Sequence, residues 1–151
     1  LKKMSDDKEI IFREIYKGKI YPIEGLRDFL NNLKKNNIKL SIGSNAVRKN
    51  VLMTIEELSI TNYFSSIICG DDVSRGKPDP EMYLKTLSNL KVSKNECIIF
   101  EDSIEGVTAA KNADIKVVGV TSSQSSEKLK SVGAFKTIND YTKIRLDNIF
   151  N

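Results

Sequence analysis

The stretch Cys97-Ile98-Ile99-Phe100-Glu101-Asp102-Ser103-Ile104-Glu105-Gly106-Val107-Thr108-Ala109-Ala110-Lys111-Asn112-Ala113 decides how the rest of the chain is read. Four apolar residues read as a strand buried on both faces, tipped by two adjacent carboxylates and followed at once by a helix of small residues. Outward from it, Val117 to Val120 reads as the next strand and Phe135 to Ile138 as a short edge strand before a last helix. Upstream, Ser66 to Cys69 reads as a strand and Glu81 to Leu90 as a helix, with Asp79 as its N-cap and Pro80 as its first residue. Further back, Ile38 to Gly43 is a strand, Arg48 to Leu58 a helix, and Leu26, Phe29, Leu30 and Leu33 form one stripe on a helix from 24 to 35. Residues 8 to 17 carry helical spacing at the start. Strands alternating with helices in this way imply βαβ units, hence an α/β fold of three layers with a parallel, Rossmann-like sheet between helices.

Ligands of open parallel sheets bind beyond the carboxyl ends of the strands. Ser44 and Asn45 follow one strand, Lys77 lies in the loop after the next, and Glu101 and Asp102 tip the third. Singly, each has an ordinary reading. Ser44 and Asn45 suit a turn and helix cap, Lys77 suits an exposed loop, and one carboxylate of the pair suits a cap. The second carboxylate remains costly beside an apolar strand unless a cation meets it. Together they suit phosphate chemistry. Mg²⁺ takes a few carboxylate oxygens, waters and a phosphate oxygen. A phosphoryl group needs hydroxyl and amide donors and a fixed positive charge. Ser44, Asn45 and Lys77 are therefore the candidate phosphate-binding residues, with Ser44 and Lys77 in catalysis and Glu101 and Asp102 as Mg²⁺ ligands. The chain has no His, so metal-assisted transfer here needs a carboxylate nucleophile or a water.

Three stretches then resemble motifs of the haloacid dehalogenase superfamily, in its β-phosphoglucomutase-like branch with a small helical cap. These are Leu40-Ser41-Ile42-Gly43-Ser44-Asn45, Gly76-Lys77-Pro78-Asp79-Pro80-Glu81-Met82-Tyr83, and Ile98 through Ala113. The resemblance implies that Ser44 binds phosphate, that Lys77 holds nucleophile and phosphate together, and that Glu101 and Asp102 bind Mg²⁺. It implies an Mg²⁺-dependent phosphatase of a small phosphate monoester working through an aspartyl-phosphate, with a phosphomutase as the near alternative. A halogen-removing enzyme has no use for the acidic pair, and a phospho-receiver domain carries its acidic pair at the first strand instead. A non-catalytic remnant kept for binding is the alternative of another class.

One departure stands out. The family's Asp-x-Asp, which supplies the nucleophile, does not occur in these 151 residues. Residues 1–19 resemble the last helix of the cap and 20–151 the core without its first, central strand. The strands at 39–43 and 97–100 are thus expected to flank that strand's place rather than to pair directly.

Composition excludes several other classes. Hydrophobic residues make up 40% and charged residues 29%, as in ordinary globular proteins. The net charge of +4 is spread over scattered lysines rather than gathered in a patch, so no nucleic-acid partner is expected. No apolar run reaches the ~18 residues of a membrane helix. Cys69 and Cys97 sit in apolar runs and read as buried thiols in a reducing, cytoplasmic setting.

Overall fold

The computed structural model describes residues 2–150, with side chains from residue 7 to residue 149. Helix α1 (Lys2–Tyr16) is followed by α2 (Leu26–Lys35), strand β1 (Ser41–Gly43), α3 (Arg48–Glu57), β2 (Ser66–Ile68), α4 (Glu81–Leu90), β3 (Ile98–Glu101), α5 (Ile104–Asn112), β4 (Lys116–Val120), α6 (Ser126–Val132), β5 (Lys136–Ile138) and α7 (Asp147–Phe150). All strand pairings are parallel: β1 with β2, β3 with β4, and β4 with β5. The α/β reading holds, and no ladder joins β1 to β3 among the described residues. They belong to separate groups, β1-β2 and β3-β4-β5.

Most expected elements fall within a few residues of their places. Helix α1 starts earlier than the apolar spacing alone indicates. Helix α6 is absent from the sequence reading, although Ser125 caps it by accepting a hydrogen bond from the Lys128 amide and Gly133 ends it at φ +130°. Its seven residues show one buried apolar side chain, Leu129, too few for a periodic stripe.

The largest cluster lies between α5, α6 and the β3-β4-β5 sheet: Val107, Ala109, Ala110, Val117 and Leu129 are almost wholly buried. A second packs α2 against the chain's end, with Phe29 stacked on Tyr141 and edge-on to Phe100. A third joins Leu30, Ile55 and Ile60 to β1 and β2. Cys69 is buried just after β2 and Cys97 half-buried just before β3, both as free thiols. No helix of the described residues is long and apolar enough to cross a membrane.

Candidate active site

The carboxyl ends of β1 and β3 open on a cleft of about 440 Å³, lined among others by Ser44, Asn45, Lys77, Glu101, Asp102 and Ser122. All five residues singled out from the sequence thus meet at one rim. What each does there differs from residue to residue.

Ser44 leaves β1 in a sharp turn. Its amide donates to the Ile68 carbonyl at 3.0 Å, and its hydroxyl accepts from the Ala46 amide at 3.2 Å. The hydroxyl proton remains available to the cleft. The Asn45 side chain grips the loop that carries Lys77. Its Oδ1 accepts from the Lys77 amide at 2.9 Å, and its Nδ2 donates to the Lys77 carbonyl at 3.3 Å. Gly76 permits this approach, because a Cβ there would lie 2.9 Å from Asn45 Oδ1.

Lys77 is drawn inward rather than toward solvent; its side chain is only 7% exposed. Its ammonium donates to the Gly43 carbonyl at 2.9 Å and forms an ion pair with Glu101 Oε1. Lys77 therefore reaches the expected rim, but its carboxylate partner is Glu101 rather than Asp102.

Glu101 and Asp102 divide into different roles. Glu101 is buried, and five donors meet its carboxylate. Lys77 Nζ and Tyr83 Oη approach Oε1, while the Asp102 amide, the Ser103 amide and Ser103 Oγ approach Oε2. A carboxylate offers about four lone-pair positions, so this one is fully used. Burial alone would raise its pKa, but the Lys77 charge and the hydrogen bonds from Lys77 and Ser103 outweigh that and hold it below the ordinary value. Asp102 faces the cleft. Its Oδ2 accepts from Ser122 Oγ at 3.2 Å and its carbonyl from Ser123 Oγ at 2.8 Å. Its Oδ1 takes no hydrogen bond among the described residues.

The cap reading of the acidic pair is corrected: the N-cap of α5 is Ser103, whose Oγ accepts from the Gly106 amide at 3.0 Å. Gly106 itself packs on Glu101, where a Cβ would lie 2.0 Å from the carboxyl carbon. The small residues of α5 are thus explained by the helix's closeness to a buried carboxylate and to the sheet. The N-cap of α4 is Pro80 rather than Asp79, and Asp79, one residue earlier, accepts through Oδ1 from the Glu81 amide at 2.9 Å.

Sequence reasoning missed Tyr83, Ser103, Ser122 and Ser123. Ser122 and Ser123 follow the fourth strand, where the strand-end rule had a signal to offer. Tyr83 lies on a helix face, where nothing in the sequence marks which carboxylate its hydroxyl meets. A second acidic grouping, Cys69, Asp71 and Asp72, comes within 4.8 Å. Arg48 answers it, donating through its amide to Asp71 and pairing through its guanidinium with Asp72.

A family model described as haloacid dehalogenase-like hydrolase matches residues 2–120. A phosphorylated carbohydrates phosphatase of Thermotoga maritima is 36% identical over 123 residues, covering 81% of this chain and 55% of that protein. A beta-phosphoglucomutase of Bacillus subtilis is 32% identical over 102 residues, covering 68% of this chain and 44% of that protein. Among solved structures, a haloacid dehalogenase hydrolase of family IA, variant 3, from Entamoeba histolytica superposes with a TM-score of 0.91 at 29% identity, covering 99% of this chain and 69% of that one. The chain spans about half the length of the curated relatives it matches.

Proposed function

Because this chain belongs to the haloacid dehalogenase-like hydrolase family, we propose that it is the phosphate-handling part of an Mg²⁺-dependent phosphatase acting on a small phosphate monoester such as a sugar phosphate. The observation that carries this reading is the cleft, where a hydroxyl, an ammonium and a carboxylate with an open oxygen converge at the strand ends. Ser44 donates to the phosphate through its hydroxyl, assisted by backbone amides of the turn at Asn45. Lys77 supplies the fixed positive charge and balances the negative charge that gathers on the phosphoryl oxygens and the nucleophile.

The donor set suits Mg²⁺, a hard cation that takes carboxylate oxygen and keeps several waters. Asp102, whose Oδ1 takes no hydrogen bond among the described residues, would hold it, and Glu101 would join only by giving up one of its five donors. When bound, Mg²⁺ neutralises phosphoryl charge and orients the group. The family resemblance assigns the phosphoryl acceptor to the first Asp of an Asp-x-Asp, which these 151 residues do not contain. Residues 1–19 belong with a cap in this reading and 20–151 with the core; α1 meets the core through Arg13, which donates to Asn50 Oδ1 at 2.7 Å. A phosphomutase is the second reading, favoured by the beta-phosphoglucomutase relative, because it uses the same visible residues and differs in the acceptor. The two unpaired thiols fit a reducing compartment such as the cytoplasm.

The test is titration calorimetry of the chain with Mg²⁺ and with inorganic phosphate. Wild type should bind both, Asp102→Asn should lose Mg²⁺, and Ser44→Ala should lose phosphate. Lys77→Gln combined with Glu101→Gln, which keeps the buried site uncharged, should lose phosphate too. Wild-type phosphate affinity in both phosphate-site variants would overturn the assignment.

A further inference from the structure

The Lys77 ammonium has three hydrogens to place. One goes to the Gly43 carbonyl, one to Glu101 Oε1, and the third is left for the cleft. Nothing in Lys77 itself enforces that division, because a second hydrogen could also turn to Glu101. The competitor for Glu101 Oε1 is Tyr83, whose hydroxyl donates to the same oxygen at 3.1 Å. The Tyr83 ring lies beneath the ammonium, with Nζ 5.1 Å from its centroid. Tyr83 is 6% exposed and fixed by the core around α5, and its ring edge also lies against Gly43. One side chain therefore touches the ammonium, its carboxylate partner and the strand end that carries its carbonyl acceptor.

We propose that Tyr83 is a positioning residue that aims the Lys77 ammonium into the cleft by occupying Glu101 Oε1 from below. The phenol hydroxyl carries one proton, and at 3.1 Å it donates that proton to Oε1. The ring face adds cation–π attraction that holds Nζ over it. With the hydroxyl removed, Oε1 has a vacant lone pair and draws a second ammonium hydrogen, which turns Lys77 away from an anion in the cleft. The role is one of geometry, acting through Lys77, and it rests on the reading of the cleft as a phosphate site.

Tyr83→Phe removes the hydroxyl and keeps the ring. Three measurements on the chain separate aiming from mere packing: inorganic phosphate affinity, the Lys77 side-chain ammonium resonance with its hydrogen-exchange rate, and the urea midpoint. The resonance is identified as the one lost when Lys77 is replaced. Tyr83→Phe should weaken phosphate binding by about three- to tenfold, the worth of one redirected hydrogen bond, and should shift the Lys77 resonance. A Tyr83→Phe variant whose urea midpoint alone changes, with phosphate affinity and the Lys77 resonance at wild-type values, overturns the aiming role. In that event lost phosphate binding in Ser44→Ala and in the Lys77→Gln, Glu101→Gln pair would leave the phosphate site standing. Phosphate binding unchanged in those variants as well would bring both down.

Discussion

Lys77 and Glu101 are the residues on which the site's energetics turn. Both side chains are more than nine-tenths buried, and each would be costly to keep charged without the other. Lys77→Ala leaves a buried carboxylate with four remaining donors and no counter-charge. It should lower unfolding free energy by about 3–5 kcal/mol in urea denaturation. Lys77→Gln with Glu101→Gln should recover most of that loss, and a double variant as unstable as Lys77→Ala would show that the pair is not a coupled unit. Asp102 differs in kind. It faces the cleft, and among the described residues only Ser122 hydrogen-bonds its carboxylate, so Asp102→Ala should abolish Mg²⁺ binding while moving the urea midpoint little. Retained Mg²⁺ affinity in that variant would remove Asp102 from the metal site.

At the scale of elements, two helix starts hold the site in place. Ser103 both caps α5 and donates to Glu101 Oε2. Ser103→Ala should therefore cost more than the roughly 1 kcal/mol typical of a lost cap, whereas Ser125→Ala at α6 should cost about that amount or less. Equal urea midpoints for the two variants would separate the cap from the carboxylate. At α4, Glu81 accepts from the Ser74 and Arg75 amides and pairs with Lys85, tying the loop before Lys77 to the helix. The Ser74 hydrogen bond foremost, with Lys85, lowers its pKa from 4.5 to about 2. A carboxyl whose folded pKa is depressed stabilises the fold above its unfolded pKa and loses that contribution as pH falls through the folded value. The melting-temperature difference between wild type and Glu81→Gln should be constant above pH 5 and shrink between about 4.5 and 2. A difference that grows on acidification would refute this assignment.

At the scale of the molecule, the two strand groups frame the cleft from opposite sides, with Ser44 and the Lys77 loop on one and Asp102 on the other. The Lys77–Glu101 pair bridges them, since Lys77 follows β2 and Glu101 ends β3, and Leu40 shares an apolar cluster with Ile98 and Phe100. No Asp-x-Asp is present to accept a phosphoryl group. The 151-residue polypeptide should therefore bind phosphate without turning over an aryl phosphate in the presence of Mg²⁺. Turnover that disappears with Asp102→Asn would reveal a water-based route using the residues already at the cleft.

The sequence by itself determined the class of fold and the location of the chemistry. Apolar runs alternating with helical stretches point to parallel strands between helices, although β1, β3 and β5 are mostly half-buried and only β4 is buried along most of its length. Polar residues at the strands' carboxyl ends share one rim. It also singled out Ser44, Asn45, Lys77, Glu101 and Asp102, because a second carboxylate beside an apolar strand is costly unless a cation meets it and the set together supplies the donors and charges of phosphate chemistry. Only the tertiary structure decided how these residues divide the work. Which carboxylate Lys77 neutralises and what the Asn45 side chain grips depend on how segments 24 and 32 residues apart approach each other, and which residue caps α5 depends on the local backbone turn at Ser103. Periodicity reports which face a side chain takes. Tyr83 shows the difference most plainly. Its place on a buried helix face follows from spacing, whereas its hold on Lys77 exists only once α4, β1 and β3 are packed together.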